Sequence, residues 1–283
     1  MKTIGPHPDF PSANIVADNK NDCCLVCPYP NNIELADYYR SNYRTIRMES
    51  ASPDYVGFMT ARAKVQKDFI LAQSSQTLFS KVLDIGSGCG TLINELKRNS
   101  ETRSGFEPDE VMARFASEHF GDESTRFHSK LFDPELDYGR FDLISMSHVL
   151  EHVPHPGEFL STLRIRTLAS GGCIFIEVPN DPLFWVEKQI QWRLSGMAHL
   201  TYFTQKSLSA LLLKSGFKIL AERVCGLDLQ HEISKRRPLN KAQRALRKVR
   251  RYFKPDPDAF SAPPDYSPAT PMNGVYLQLL ATV

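Results

Sequence analysis

The pattern of apolar and polar positions divides the chain into a front part with weak periodicity and a long alternation of strands and helices. Residues 1–30 are rich in Pro, Asn and Asp, and we expect them to be irregular. Residues 31–75 hold two helical patterns, ELADYYRSNYR and DYVGFMTARAKVQKDFILAQ, which we expect to cap the carboxyl edge of a sheet. From Lys81 onward, apolar runs alternate with helical patterns, which is typical of a parallel sheet with crossover helices.

The alternation predicts an α/β domain over residues 76–283 with seven strands. These are KVLDIG, TRSGFEPD, TRFHSKLF, FDLISMSHV, GCIFIEVPN, FKILAERVCG and NGVYLQLLATV. Two insertions interrupt the pattern. Residues 181–204 form a long segment rich in aromatic side chains, which we expect to be a lid. Residues 233–270 lie between the last two strands.

Composition places the chain among ordinary globular proteins. It has 283 residues, of which 42% are hydrophobic and 23% charged. No run approaches the roughly 20 apolar residues that span a bilayer, and the first residues lack the apolar core of a secretory signal. With six scattered cysteines, we expect reduced thiols and a cytoplasmic location.

Basic residues are concentrated in one stretch, although the net charge is only +2. Residues 233–255 carry ten Lys and Arg and no acid, with apolar positions at helical spacing. This predicts a basic amphipathic helix, which either packs on the domain or contacts an anionic membrane or a lipid-linked or phosphorylated substrate. A single basic helix is weak support for nucleic-acid binding, and we expect no nucleic-acid partner.

A glycine-rich turn follows the first strand of the alternation, in VLDIGSGCG at residues 82–90. Such a turn brings the backbone close to a ligand at the carboxyl end of a strand. The dinucleotide fingerprint requires a third glycine where this chain has Thr91. The spacing is G-x-G-x-G, and Asp84 precedes the first glycine by two positions, which disfavours an NAD-dependent oxidoreductase.

Five motifs in order carry a family resemblance: VLDIGSGCG, GFEPDE, FDLISMSHVLEHVPHP, GGCIFIEVPN and HLTYFTQKSLSALLLKSGF. Over about residues 55–283, the chain resembles class I S-adenosylmethionine-dependent methyltransferases. It is more closely similar to the branch that includes the ubiquinone-biosynthesis O-methyltransferases. The resemblance implies a Rossmann-like sheet with strand order 3-2-1-4-5-7-6, the last strand antiparallel, and helices on both faces.

The resemblance also implies S-adenosylmethionine as cofactor and S-adenosylhomocysteine as product. Asp84 would face the methionine part, Glu107 would accept the ribose hydroxyls, and adenine would lie near Leu131 and Phe132, where the usual acid is replaced by this apolar pair. The sulfonium would lie beside His148. The expected cofactor contacts are Asp84, Gly86, Ser87, Gly88, Gly90, Glu107, Pro108, Leu131, Phe132, Ser147 and His148.

A hydroxyl acceptor needs a base to remove its proton, and histidine has a suitable pKa. His148 and His199 are the two candidates, and Tyr38, Tyr43 and Tyr202 are candidate acceptor contacts together with His199. The [DN]-P-P-[YF] motif of nucleobase amino methylases is replaced here by SMSH. We therefore expect O-methylation of a small polar metabolite, sugar, glycan or natural product.

Metal binding is not expected, although two groups of residues raise the question. Glu151 and His152 match a pair that is a metal ligand in some members of the branch, with His148 in place of the third expected acid. The cysteines of NDCCLVCP, at positions 23, 24 and 27, resemble a remnant of a zinc module, to which His7 adds at most a fourth ligand.

Two other functions stay open at this point. One is a nucleic-acid methyltransferase, which only the basic stretch supports. The other is a catalytically inactive scaffold with the same fold. The retained Asp84 and Glu107 disfavour the scaffold, because a scaffold does not need a cofactor pocket.

Overall fold

The structure of the protein, a computed structural model, describes residues 1–41, 51–191, 198–226, 266, 268–271 and 274–283. The strands are β1 Lys2–Pro6, β2 Asn14–Asp18, β3 Cys23–Cys27, β4 Phe79–Ile85, β5 Ser100–Phe106, β6 Thr125–His128, β7 Phe141–Ser147, β8 Leu168–Pro179, β9 Thr201–Tyr202, β10 Lys218–Cys225 and β11 Tyr276–Thr282. The helices are α1 Asn32–Ser41, α2 Pro53–Gln73, α3 Thr91–Glu95, α4 Glu110–Phe120, α5 Pro156–Thr162, α6 Leu183–Gln191 and α7 Gln205–Lys214. Tyr43 and most of the predicted basic insertion lie outside the described residues.

The larger sheet has seven strands in the order β10-β11-β8-β7-β4-β5-β6. Numbered within the domain, this is the expected order 3-2-1-4-5-7-6. β4, β5, β6, β7 and β8 pair in parallel, whereas β11 runs antiparallel to both of its neighbours. The predicted fold class is therefore confirmed.

Both faces of this sheet are buried, because successive residues of its central strands enter opposite cores. Val82 and Leu143 pack with helices α2 and α3 on one face. Leu83 and Ile144 pack with α5 and α7 on the other. This double burial explains why β7 and β8 read as continuous apolar runs rather than as an alternation.

Residues 1–30 are not irregular, so that prediction was wrong. β1, β2 and β3 form an antiparallel sheet that β9 completes, in the order β1-β2-β3-β9. The prolines are compatible with it, since Pro6 ends the edge strand β1. The core of this N-terminal sheet contains Ile15 and Val26 together with Val186 and Leu200 from the predicted lid. Its apolar partners come from far along the sequence, which is why local pattern did not reveal it.

Within the described residues, each of the two predicted cap patterns contains a helix, and the two helices pack in different places. Leu35 and Tyr38 of α1 join the core of the N-terminal sheet. α2 begins at an N-cap formed by Ser52 and packs Phe69 and Ile70 against the larger sheet. No helix in the described ranges is long and apolar enough to cross a membrane.

Candidate active site

The glycine-rich turn after β4 lies at the carboxyl edge of the larger sheet. Gly86 has φ +73°, and a Cβ there would lie 2.4 Å from Cγ2 of Val149. Gly88 has φ +52°, and a Cβ there would meet nothing within 4 Å. Gly86 is thus required by the fold, whereas Gly88 leaves open space above the turn in which a ligand can approach the backbone.

Asp84 lies at the end of β4 and is buried. Ser145 on β7 donates a hydrogen bond of 2.7 Å from Oγ to Asp84 Oδ1. Burial raises the pKa of Asp84 to about 7, the Ser145 hydrogen bond opposes this shift, and the nearby charge of Glu107 adds to it. A cationic ligand group beside Asp84 would favour the ionised carboxylate.

Glu107 follows β5 and reaches back to the glycine turn. Its Oε2 accepts a hydrogen bond of 2.9 Å from the backbone N–H of Gly88, and its Oε1 accepts one of 2.8 Å from Asp109. These two bonds fix the carboxylate at the mouth of the turn, where it can accept paired hydroxyl groups. Ser87 lies within the turn and is buried, and Pro108 is exposed directly after Glu107.

An aromatic cluster stands where adenine was expected. Phe132 contacts the ring of Phe106 edge-on at 5.1 Å, and His128 stacks on Phe106 at 4.4 Å. Lys130 places Nζ 5.5 Å from the ring of Tyr138 and 5.8 Å from that of Phe106. Sequence reasoning found Phe132 and missed the other rings. The predicted Leu131 is 68% exposed.

His148 follows Ser147 at the carboxyl end of β7 and adopts φ +56°, an unusual conformation for a non-glycine residue. Its backbone N–H donates to the carbonyl of Glu177 at 2.8 Å. Its Nδ1 lies 3.2 Å from Glu151 Oε1, and its Nε2 lies 3.6 Å from Glu177 Oε1. The ring therefore lies between two carboxylates at the edge where β4, β5 and β7 end.

Glu177 on β8 is the centre of a buried network that the sequence did not reveal. Its Oε1 accepts hydrogen bonds from Arg62 Nε at 2.9 Å, from Gln66 Nε2 at 3.1 Å and from the hydroxyl of Tyr266 at 3.2 Å. Its Oε2 accepts one from Gln278. Burial alone would raise the pKa of Glu177, but the Arg62 guanidinium and the hydrogen bonds hold it well below its ordinary value.

His199, the second candidate base, lies in the predicted lid, two residues before β9. Its Nδ1 is 3.9 Å from Asp181 Oδ2, and its ring meets that of His152 edge-on at 4.9 Å. Burial raises the pKa of Asp181 to about 7. The ring of Tyr202 lies 5.9 Å from that of His199. Tyr202 and Tyr38 are both buried in the core of the N-terminal sheet.

Three side chains form a group with metal-ligand spacing. Ligand atoms of Glu151, His152 and His199 all lie within 4.8 Å of one another. The predicted pair is thus present, but His199 completes this group rather than His148. Nδ1 of His152 contacts the carbonyl of Ala198 at 3.2 Å, a kind of supporting contact that metal-bound histidines commonly make. Burial alone would raise the pKa of Glu151, but contacts with histidines lower it to about 2.

The cysteines near the N-terminus all belong to β3. Cys23 and Cys24 are consecutive, so they point to opposite faces of the strand, and Cys24 is buried in an apolar core. Burial raises the pKa of Cys24 to about 12 and that of Cys23 to about 11. Within the described ranges these thiols and His7 form no group with metal-ligand spacing.

Comparisons with known proteins agree with this architecture. A model of the methyltransferase domain family matches residues 55–222, more than half of the chain. The ubiquinone biosynthesis O-methyltransferase of Thiobacillus denitrificans is 30% identical over 105 residues, covering 35% of this chain and 44% of that protein. The protein of the same name from Vibrio parahaemolyticus is 30% identical over 120 residues, covering 40% and 49%. The chain thus spans less than half the length of these curated relatives.

Solved structures share the fold at low identity. The YcgJ protein of Bacillus subtilis superposes with a TM-score of 0.51 at 14% identity, covering 77% of this chain and 97% of that chain. The magnesium protoporphyrin IX methyltransferase of Synechocystis, solved with bound SAH, gives a TM-score of 0.52 at 15% identity, covering 89% and 99%. With the family match and the strand order, these findings confirm the resemblance: the chain belongs to the methyltransferase domain family, among S-adenosylmethionine-dependent methyltransferases.

Proposed function

We propose that this chain transfers the methyl group of S-adenosylmethionine to a hydroxyl group of a small polar metabolite, sugar or glycan. The observation that carries the proposal is the position of His148 between Glu151 and Glu177, at the sheet edge that also holds Asp84 and Glu107. A base and the expected cofactor contacts thus share one edge. The names of the curated relatives, which are O-methyltransferases, support a hydroxyl acceptor.

The residues at the glycine turn fit this cofactor. The sulfonium supplies an already activated methyl group, so the protein has to bind, align and exclude water. Glu107 would accept the ribose hydroxyls through its remaining lone pairs, and Asp84 would bind the cationic end of the methionine part. The partly exposed ring of His128, which stacks on the buried ring of Phe106, offers a surface for adenine.

A histidine would then take the proton of the acceptor hydroxyl. His148 is supported by the carboxylate of Glu151, whose Oε1 lies 3.2 Å from its Nδ1. His199 has the carboxyl group of Asp181 3.9 Å from its Nδ1, too far for a direct hydrogen bond. Both histidines stay candidates for the base, and the buried ring of Tyr202 lies beside that of His199. We also propose that the protein is cytoplasmic and that its basic stretch contacts an anionic membrane.

Calorimetric titration with S-adenosylhomocysteine, with NAD as a control ligand, tests the cofactor assignment. We expect micromolar binding of the first ligand only, and a severe loss of affinity in Glu107→Ala. Glu101→Ala is the matched control, since Glu101 is exposed near the other end of the same strand. No binding to the unaltered chain would favour the inactive scaffold.

A screen of hydroxylated sugars, polyols and phenols with radiolabelled S-adenosylmethionine tests the reaction. His148→Ala and His199→Ala should both bind S-adenosylhomocysteine, and at least one should lose methyl transfer by roughly 10²–10⁴-fold, as expected for a general base. Full activity in both variants would remove the histidine base from the proposal.

A metal-assisted mechanism is a second candidate, favoured by the spacing of Glu151, His152 and His199. A divalent ion there would lower the pKa of a bound hydroxyl and replace the base. Chelation by EDTA separates the two mechanisms. With a histidine base, methyl transfer is unchanged, whereas loss of activity that added Mg²⁺, Mn²⁺ or Zn²⁺ restores would establish the metal route.

A further inference from the structure

The part of the predicted lid that carries His199, residues 198–200, lies between the N-terminal sheet and the methyltransferase sheet. We call these residues the lid segment. On the methyltransferase side, the backbone N–H of Leu200 donates to the carbonyl of Glu151 at 2.7 Å. The carbonyl of Ala198 contacts Nδ1 of His152 at 3.2 Å. The turn that contains Glu151 and His152 therefore holds the segment on both sides of His199.

The N-terminal sheet holds the other backbone groups of the same segment. Oδ2 of Asp9 accepts a hydrogen bond of 3.0 Å from the N–H of Ala198. Nε2 of His7 contacts the carbonyl of His199 at 3.2 Å. The N–H of Val26 on β3 donates to the carbonyl of Leu200 at 2.9 Å. Successive polar groups of residues 198–200 thus bond alternately to two distant parts of the chain.

The backbone of Ala198 shows why these bonds matter. Ala198 is buried and has φ +55°, a left-handed conformation that alanine adopts only when its surroundings enforce it. An oxygen of the Asp9 side chain accepts the N–H of this residue at 3.0 Å and so helps to hold this conformation.

We propose that the N-terminal sheet is a working part of the acceptor site, and that Asp9 is a positioning residue that sets the orientation of His199 through Ala198. The inference rests on the proposed function, in which His199 faces the acceptor. It also goes beyond the family match, which begins at residue 55 and does not include the N-terminal strands. Acceptor binding is therefore shaped by a part of the chain outside the matched domain.

NMR of the full chain labelled with ¹⁵N-histidine tests this directly, with the His199 signals assigned by His199→Gln. In Asp9→Ala, we expect the His199 ring signals to shift and the segment at residues 198–203 to exchange its amide hydrogens at least about tenfold faster. Asp9→Asn should largely restore both, because an amide oxygen can still accept the Ala198 N–H. Asp18→Ala is the matched control, since Asp18 is in the same sheet and caps a turn.

Titration with S-adenosylhomocysteine separates this inference from the proposed function. Asp9→Ala should bind it with unchanged affinity, since Asp9 contacts the lid segment and not the glycine turn. Unchanged His199 signals and exchange in Asp9→Ala would overturn the positioning role, even if the ligand binds. An equal loss in Asp9→Asn and Asp9→Ala would also overturn it, because the conservative variant would then rescue nothing. Failure of the unaltered chain to bind S-adenosylhomocysteine would instead count against the proposed function.

Discussion

The ion pair of Arg62 and Glu177 is a buried charge interaction at the candidate site. The side chain of Glu177 is fully buried, and that of Arg62 is 12% exposed. A buried carboxylate without its partner is costly, because the protein interior does not replace the water that it has lost. The pair therefore matters more for what happens when it is broken than for its net contribution to stability.

Removal of Arg62 alone should be strongly destabilising. We expect Arg62→Ala to lower the free energy of unfolding by about 3–5 kcal/mol, the usual cost of removing one partner of a buried ion pair. The double variant Arg62→Ala/Glu177→Gln should recover much of this loss, since the uncompensated charge is gone. Urea unfolding of the single and double variants measures it, and simple additivity would show that the two side chains are not coupled.

Asp84 makes stability depend on pH in the opposite way to a typical surface carboxylate. Because burial raises its pKa to about 7, the folded protein holds a proton there that the unfolded chain releases near its ordinary value of 3.8. Its contribution to stability is therefore present below about pH 4 and is lost as the pH rises to about 7.

Replacing Asp84 by a residue that cannot ionise should remove this pH dependence. We expect Asp84→Asn to raise the free energy of unfolding at pH 8 by roughly 2–4 kcal/mol and to change it little at pH 4. The same variant should bind S-adenosylhomocysteine poorly, so stability and function oppose each other at this position. Denaturant unfolding at both pH values provides the measurement. Asp68→Asn, at an exposed position, should change neither.

At the level of elements, the turn between β4 and α3 contains one glycine that the packing requires and another that leaves space for a ligand. Gly86→Ala brings a Cβ 2.4 Å from Val149, at φ +73°. Gly88→Ala meets nothing within 4 Å at φ +52° and carries only the conformational cost. The two glycines look equivalent in the sequence, although their surroundings differ.

The two alanine variants should therefore fail in different ways. We expect Gly88→Ala to lose about 1–2 kcal/mol of stability and most of its affinity for S-adenosylhomocysteine. Gly86→Ala should lose more stability, and Val149→Ala added to it should restore only the steric part. Thermal unfolding and calorimetry measure both quantities. If Gly88→Ala binds the ligand normally, the open space above Gly88 is not the cofactor site.

Sequence patterns predicted the elements whose signals are local. The strands of the larger sheet are apolar runs, and Asp84 and Glu107 are marked by motifs that lie within a few residues of them. The Arg62–Glu177 contact joins positions 115 residues apart and left no such signal. The N-terminal sheet was missed because its three consecutive strands have only five residues each, and its fourth strand, β9, has two residues and lies far along the chain.

At the scale of the whole molecule, the lid segment makes the two sheets interdependent. Leu200 is buried in the core of the N-terminal sheet, and its backbone N–H bonds to Glu151 of the methyltransferase part. Loss of one sheet therefore removes hydrogen-bond partners from the other. Cooperative unfolding of the described parts of the chain follows from this shared segment.

A substitution that creates a cavity in the core of the N-terminal sheet tests whether the two sheets unfold together. Ile15 on β2 is 1% exposed, and we expect Ile15→Ala to lower the free energy of unfolding by about 2–5 kcal/mol while all spectroscopic probes still report one transition. Affinity for S-adenosylhomocysteine should be unchanged, because Asp84 and Glu107 lie on the other sheet. Ile33→Ala, at a position 73% exposed, is the control and should change little. Two separate transitions in Ile15→Ala would mean that the N-terminal sheet unfolds independently, and that the lid segment does not couple the sheets.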